Sequence, residues 1–270
     1  MPDNKHPDYG LDAPAVVRNL LVAAAAFFLL WGTAVAGLWS GIFSFELFHA
    51  VRIYFPLGSI GWVPGLGFLS MGCWMLWSSK IGKVHGRERL LRQIVWRGNE
   101  QVLDVGCGRG LMLIGAAKYL TTGKAVGIDT WQAEDLSGNN AEATLENAKR
   151  EGVAERVEVL TADMRDLPFP NEAFDVVVSK AAIHNIYSAD DRAVAIREIA
   201  RVLKPHGVAL ISDIRHLREY VVVFEKHGCT LVRQLDSPIQ SVLLMLITFG
   251  SLHPGTVLLK KVTASHPLDK

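Results

Sequence analysis

The chain has 270 residues, half of them hydrophobic, with 28 Lys and Arg against 27 Asp and Glu and a net charge of +1. That balance carries no basic footprint for nucleic acid. Three cysteines, Cys73, Cys107 and Cys229, are too scattered for a disulfide framework or a metal site.

The charge is unevenly spread. Between Asn19 and Ser79 only Glu46 and Arg52 are charged, and five of the seven tryptophans lie there. Leu20 to Trp39 is an uncharged run of about the length that crosses a hydrocarbon core, with Pro14 near its start, where proline is tolerated. A second stretch, Ile53 to Ser79, is uncharged and interrupted by Pro56, Pro64 and several glycines. It is expected to hold a spanning helix from about Leu57 to Trp77, an interfacial or re-entrant segment being the alternative. Gly61 and Gly65 stand at the small-x-x-x-small spacing that lets helices approach. Residues 1–79 are therefore expected to be a membrane anchor of two transmembrane helices. The first run is longer than a signal-peptide core and lacks a basic leader, so it reads as an anchor retained in the chain.

Lys80, Lys83, Arg87, Arg89, Arg92 and Arg97 follow, against a single Glu88. Residues 80–99 are expected as a basic amphipathic linker helix on the cytoplasmic side, near anionic headgroups. Leu90, Leu91 and Ile94 would pack onto the domain behind it.

That domain opens on Val102, Leu103 and Val105, a short buried strand, then Gly106-Cys107-Gly108-Arg109-Gly110 and a helix starting at Leu111. A second strand, Ala125 to Asp129, ends in a carboxylate. The insertion from Thr130 to Asn140 is long and polar, and Asn139 is placed to cap a helix over Ala141 to Arg150. Trp131 within it either stacks on a ligand ring, closes a site or packs. A third strand, Val157 to Leu160, runs into Thr161-Ala162-Asp163-Met164. A fourth, Ala173 to Ser179, exits through Lys180-Ala181-Ala182-Ile183-His184. Ser188-Ala189-Asp190-Asp191 has the form of a capping box for a helix to Leu203. Lys204-Pro205-His206-Gly207 ends that helix, and Val208 to Asp213 is a fifth strand. A helix over Leu217 to His227 and strands near Leu231-Val232-Arg233 and Val257 to Lys261 complete the order. The apolar segment Ile239 to Phe249 reads as a helix over a pocket, against a membrane, or buried.

The G-x-G-x-G spacing with Asp104 inside the strand resembles motif I of the class I S-adenosylmethionine-dependent methyltransferases, and the likeness runs from about Glu100 to Val262. It implies that residues 100–270 form an α/β domain, a Rossmann-like doubly wound seven-stranded sheet with an antiparallel last strand. It also implies S-adenosyl-L-methionine as cofactor, its methionine end on the glycine turn and its amino group near Asp104. Asp129 would take the ribose hydroxyls, as an acidic residue at that spacing does in doubly wound folds, and Asp163 and Met164 the adenine. The implied contact set is Asp104, Gly106, Cys107, Gly108, Gly110, Asp129, Thr130, Trp131, Asp163, Met164 and Lys180. Lys204-Pro205-His206-Gly207 is similar to the family's L-x-P-G-G turn, with His206 replacing a glycine.

A sulfonium methyl is already electrophilic, so such an enzyme aligns its acceptor and needs a base only where the acceptor must lose a proton. His184 is the leading candidate, with Tyr187 and His216 behind it. The strand-four exit reads Ser-Lys-Ala-Ala, unlike the motif of nucleobase or glutamine methyltransferases, and no metal is expected. The group including the ubiquinone and menaquinone C-methyltransferases remains. The expected function is a methyltransferase held at the bilayer of the cell membrane with its catalytic domain cytoplasmic, acting on a small thiol or sulfide, quinone or phenol, or lipid. A membrane-bound module that binds S-adenosylmethionine without catalysis is the rival. The oligomeric state is not legible.

Overall fold

The computed structural model describes residues 6–47, 51–132, 134–235 and 253–262. The chain divides into two units: Gly10–Lys83 with Ala133–Ser137, and Met1–Tyr9 with Val84–Gln132 and Gly138–Lys270. The apolar segment 239–249 lies outside the described residues.

In the first unit, α1 (Pro14–Val35) begins on its proline and ends before the glycine and serine residues that follow. Among the described residues it is the one helix long and apolar enough to cross a membrane. Next comes a hairpin the sequence did not suggest, β1 (Phe43–Leu47) and β2 (Val51–Phe55), antiparallel. The two charges of this stretch answer each other across it, Arg52 Nε donating to Glu46 Oε1 at 3.1 Å.

The second expected span is divided into α2 (Leu57–Ile60) and α3 (Trp62–Trp77). Pro64 lacks the N–H that would bond to the carbonyl of Ile60 and continue the helix through Gly61. A transmembrane hairpin is therefore not shown: one apolar helix of spanning length is present among the described residues.

Helix α3 packs on α1, with Phe27 stacked on Phe68 at 5.7 Å. The close approaches fall at Gly65 and Gly72, where a Cβ would lie 3.2 Å from the Phe28 ring and 2.9 Å from Leu21. Residues 135–137 of the insertion belong to this unit. The N–H of Ala13 donates to Asp135 O at 3.1 Å, and that of Leu11 to Ser137 Oγ at 2.8 Å. A π-helical turn (Ser78–Gly82) leads into α4 (Lys83–Leu91).

Lys83 and Arg87 are not part of a solvated basic face. Lys83 Nζ is buried against Asp12 Oδ1 at 2.7 Å, and Arg87 is buried in an ion pair with Glu151. Leu90, Leu91 and Ile94 do enter the core.

The second unit holds β3 (Gln101–Val105), α5 (Leu111–Ala117), β4 (Lys124–Asp129), α6 (Ala141–Arg150), β5 (Val157–Thr161), β6 (Phe174–Lys180), α7 (Ala189–Val202), β7 (Leu203–Asp213), α8 (Leu217–Lys226), β8 (Cys229–Gln234) and β9 (Gly255–Lys261). The sheet order is β5-β4-β3-β6-β7-β9-β8, all parallel except β9, which runs antiparallel to both its neighbours. Successive strand residues serve opposite faces. Val102 packs with Leu91, Leu113 and Leu210 on one face, and Leu103 and Val105 with Ile196, Ile199 and Phe224 on the other.

Strand β7 begins five residues earlier than expected. Its register against β6 shifts at 204–207, where His206 takes a φ of 65° in place of the family's glycine. Helix α6 is capped by Asn140, whose Oδ1 accepts from Ala143 N–H at 2.7 Å, and not by Asn139.

Candidate active site

Strand order reverses between β3 and β6, and in open α/β sheets the crevice beyond the strands' carboxyl ends at such a point receives the ligand. At the end of β3 the chain turns through Gly106, Gly108 and Gly110, with φ of 72°, 52° and 86°. A side chain in that region costs about 1–2 kcal/mol. Space is also lacking: a Cβ at Gly106 would overlap that of Ala182, and one at Gly110 would lie 2.7 Å from Ile114 Cδ1.

The turn is tied to β4. Gly106 and Cys107 both donate to Ile128 O at 2.9 Å, and Gly108 N–H donates to Asp129 Oδ2 at 2.8 Å. Asp129 Oδ1 accepts from Trp131 N–H at 2.6 Å and from Asn139 Nδ2 at 3.3 Å. Asn139, released from capping, thus braces the expected ribose acceptor. About four lone-pair sites are available on a carboxylate, so these three donors leave room for another.

Asp104 is fully buried. Its Oδ2 accepts from Leu113 N–H at 2.8 Å, and its Oδ1 meets no donor. Burial pushes the carboxyl up to about 7; the Leu113 N–H and the Lys180 charge oppose that rise and the Asp129 charge adds to it. A dry acceptor without a donor is costly, and a ligand's ammonium group is the donor it lacks. Cys107 is also buried, and burial pushes its thiol well above the usual range, so it lines the turn and is no nucleophile.

At the end of β4, Thr130 is exposed. Trp131 holds a left-handed φ of 62° while its indole Nε1 donates to Thr161 Oγ1 at 2.7 Å. Met164 Cε approaches the glycine turn, 3.6 Å from where a Gly106 Cβ would be. Asp163 is engaged by Arg165, whose Nη2 lies at 2.6 Å and whose Nη1 reaches Asp191 at 3.1 Å. The Arg165 guanidinium holds the Asp163 carboxyl below its ordinary value. Any adenine contact by Asp163 is shared with that ion pair.

The exit of β6 passes through Ala181 at φ 53°, a strained value of the kind concentrated at functional sites. His184 follows in a short 3-10 turn (Ile183–Asn185). Its Nδ1 lies 2.5 Å from Oδ1 of buried Asp213, at the end of β7, in a close contact off the aligned hydrogen-bond direction. Asp213 also accepts the N–H of His184 at 3.1 Å, that of Ile214 at 2.7 Å and the Tyr220 hydroxyl at 3.4 Å. Burial keeps the Tyr220 phenol far above its usual range, a neutral donor.

Tyr187 is fully exposed, and His216 pairs with Glu219 at 3.0 Å. Asp213 and Asn139 are the site residues that sequence reasoning passed over. An aspartate closing the fifth strand, beside the fourth in this sheet order, was the available signal for the first.

Residues 103–211 match the family described as "Methyltransferase domain". Methyltransferase GfsG of Streptomyces halstedii is 33% identical over 127 residues, 47% of this chain and 42% of that protein. Demethylmenaquinone methyltransferase of Staphylococcus aureus is 31% identical over 128 residues, 47% of this chain and 48% of that protein. The chain thus spans about half the length of these curated relatives. A solved structure of geranyl diphosphate methyltransferase in complex with SAM has a TM-score of 0.52 at 17% identity, covering 66% of this chain and 85% of that one, a likeness of fold. Fold, glycine turn and family match agree: residues 103–211 match a methyltransferase domain, set in a Rossmann-like, seven-stranded mixed sheet.

Proposed function

We propose that this protein methylates a small, membrane-partitioning acceptor from S-adenosylmethionine, with residues 1–79 as its membrane anchor and His184 as the proton acceptor. The observation that carries the reading is Asp104: a buried carboxylate with one oxygen unmet, directly before three glycines of positive φ.

S-adenosylmethionine, when bound, supplies an electrophilic methyl on sulfur. Asp104 holds the amino end, with Lys180 tempering its charge. Gly106, Cys107, Gly108 and Gly110 shape the main-chain cradle. Asp129, held by Asn139, accepts from the ribose, and Thr130, Trp131, Asp163 and Met164 border the adenine. With the Nδ1 side of its ring on Asp213, His184 presents Nε2 to the acceptor's proton. Tyr187 has no part in this reading, its side chain standing in solvent.

The anchor is supported by the apolar surface of the first unit. Val22, Leu29, Val35, Leu38, Phe43, Trp74 and Trp77 are all exposed, and large exposed apolar surface marks membrane or partner contact. An anchored enzyme meets lipophilic acceptors at raised local concentration, and quinones or phenols lead because a demethylmenaquinone methyltransferase is among the relatives. Thiols, sulfides and lipids follow.

The test is full-length protein in bilayer discs, given methyl-labelled S-adenosylmethionine and panels of quinols, phenols, thiols and lipids. Label in at least one acceptor, with S-adenosylhomocysteine released, is expected. Cofactor binding without turnover across the panels would favour the non-catalytic module, and absence of binding would end the reading altogether.

A further inference from the structure

Helix α6 places Thr144, Asn147, Ala148 and Glu151 along one face, at the three- and four-residue spacing of helical neighbours. Thr144 Oγ1 donates to Gly108 O at 2.7 Å. Asn147, almost wholly buried, commits its entire amide: Nδ2 donates to Arg109 O at 3.0 Å and to Asp8 O at 2.8 Å, and Oδ1 accepts from Asp8 N–H at 2.9 Å. It pairs with Asp8 at two points, as a neighbouring strand would. The Arg109 guanidinium reaches the Asp8 carboxylate at 3.4 Å.

Tyr9 pins the next residue. It is 6% exposed, its hydroxyl donates to Glu151 at 2.7 Å, and the Arg87 guanidinium stands 5.5 Å from its ring centre. The glycine turn is therefore held through its donors by Ile128 and Asp129, and through its carbonyls by Thr144 and Asn147. Two of Asn147's three hydrogen bonds are with Asp8, 139 residues away in sequence.

We infer that Asp8 and Tyr9 form a strap that, through Asn147, positions the glycine turn for the cofactor. The inference rests on reading that turn as the S-adenosylmethionine cradle. Preordering a loop removes an ordering cost from binding, and by reciprocity a ligand in the turn must tighten the strap.

The experiment titrates full-length protein with S-adenosylhomocysteine by calorimetry, well below the melting temperature. Asn147→Ala is expected to raise Kd about tenfold, Tyr9→Ala about fivefold and Asp8→Ala two- to threefold, as for loss of about one hydrogen bond or less. Val153→Ala, a core truncation remote from the turn's contacts, should lower the melting temperature and leave Kd alone. In the wild type, saturating ligand should slow hydrogen exchange at the Asp8 amide. Unchanged Kd in Tyr9→Ala and Asp8→Ala, an equal shift in Val153→Ala, or indifference of the Asp8 amide to ligand would each overturn the strap. A wild-type protein that binds no S-adenosylhomocysteine would instead remove the cofactor reading beneath it.

Discussion

Nδ1 of His184 lies 2.5 Å from Oδ1 of Asp213, joining the exits of two adjacent parallel strands. Asp213 is itself held by two main-chain N–H groups and lies near the Tyr220 hydroxyl, so it fixes the imidazole where an acceptor would sit. His184→Ala is expected to lower kcat about 10²- to 10⁴-fold, the span of general-base contributions. Asp213→Asn should lower it less, with the KM for S-adenosylmethionine unchanged in both. Steady-state kinetics on folded variants decide this, and full activity in His184→Ala would refute the assignment.

Asp104 makes the apo protein's stability depend on pH. Burial pushes its folded carboxyl up to about 7, from an ordinary value of 3.8. The native state therefore holds a proton that the unfolded chain has released, and stability falls as pH rises from about 4 to 7. The loss is on the order of 4 kcal/mol. Asp104→Asn should flatten that slope in denaturant titrations and weaken cofactor binding. Wild-type affinity for S-adenosylmethionine should rise between pH 6 and 8, as the carboxylate forms and meets the ammonium. A pH-independent affinity would show that Asp104 is no ligand of the amino group.

Gly106→Ala combines a φ of 72° with overlap on Ala182 Cβ. A loss of about 2–4 kcal/mol is expected from strain and overpacking together, along with loss of cofactor binding. Adding Ala182→Gly removes the overlap and leaves the strain, so the double variant should recover only part of the stability, read as the urea midpoint.

Glu151 receives Tyr9, Arg87 and Lys118 while nearly buried. Burial raises its carboxyl, but the hydrogen bonds from Lys118 and Tyr9 and the Arg87 charge outweigh that and hold it below its ordinary value. Its contribution is thus present above the unfolded value of about 4.5 and lost as pH falls through the lower folded one. Glu151→Ala should cost about 3 kcal/mol at pH 7 by leaving buried Arg87 with the half-exposed Glu88 as its remaining carboxylate partner, and acid titration should show a smaller loss below pH 4.5 than in the wild type.

Helix α1 allows the anchor to be tested without touching the core. Val22 and Leu29 are exposed on it. Val22→Lys with Leu29→Lys should move the protein from the membrane fraction to the supernatant, since each lysine near a span's centre costs about 3 kcal/mol to insert. Continued sedimentation with membranes after carbonate washing would count against α1 as a span.

Strands β3 to β7, helix α6 and the glycine turn were legible because they are local. Runs of apolar residues, a cap and a positive-φ glycine act within a few residues of themselves. Even there two boundaries slipped: β7 begins at Leu203, and Asn140 and not Asn139 caps α6, neighbouring asparagines being indistinguishable until a φ value separates them. The strand pair β1–β2 was passed over although Phe43-Ser44-Phe45-Glu46-Leu47 alternates apolar and polar residues, because it lies between two long apolar runs that read as spans, and the second of those runs is divided at Gly61.

By itself, the amino-acid sequence determined the order of elements from β3 to β9, the left-handed turn at 106–110 and the carboxylates at the ends of β3 and β4, since each follows from backbone sterics and short-range pattern. Only the tertiary structure decided that His184 meets Asp213, that Asn139 braces Asp129 and that Asp8 reaches the glycine turn through Asn147. Those pairings join positions 10 to 139 residues apart. They exist because burying both sheet faces leaves the strand ends and the N-terminal segment one place to lie, a constraint no local run of residues contains.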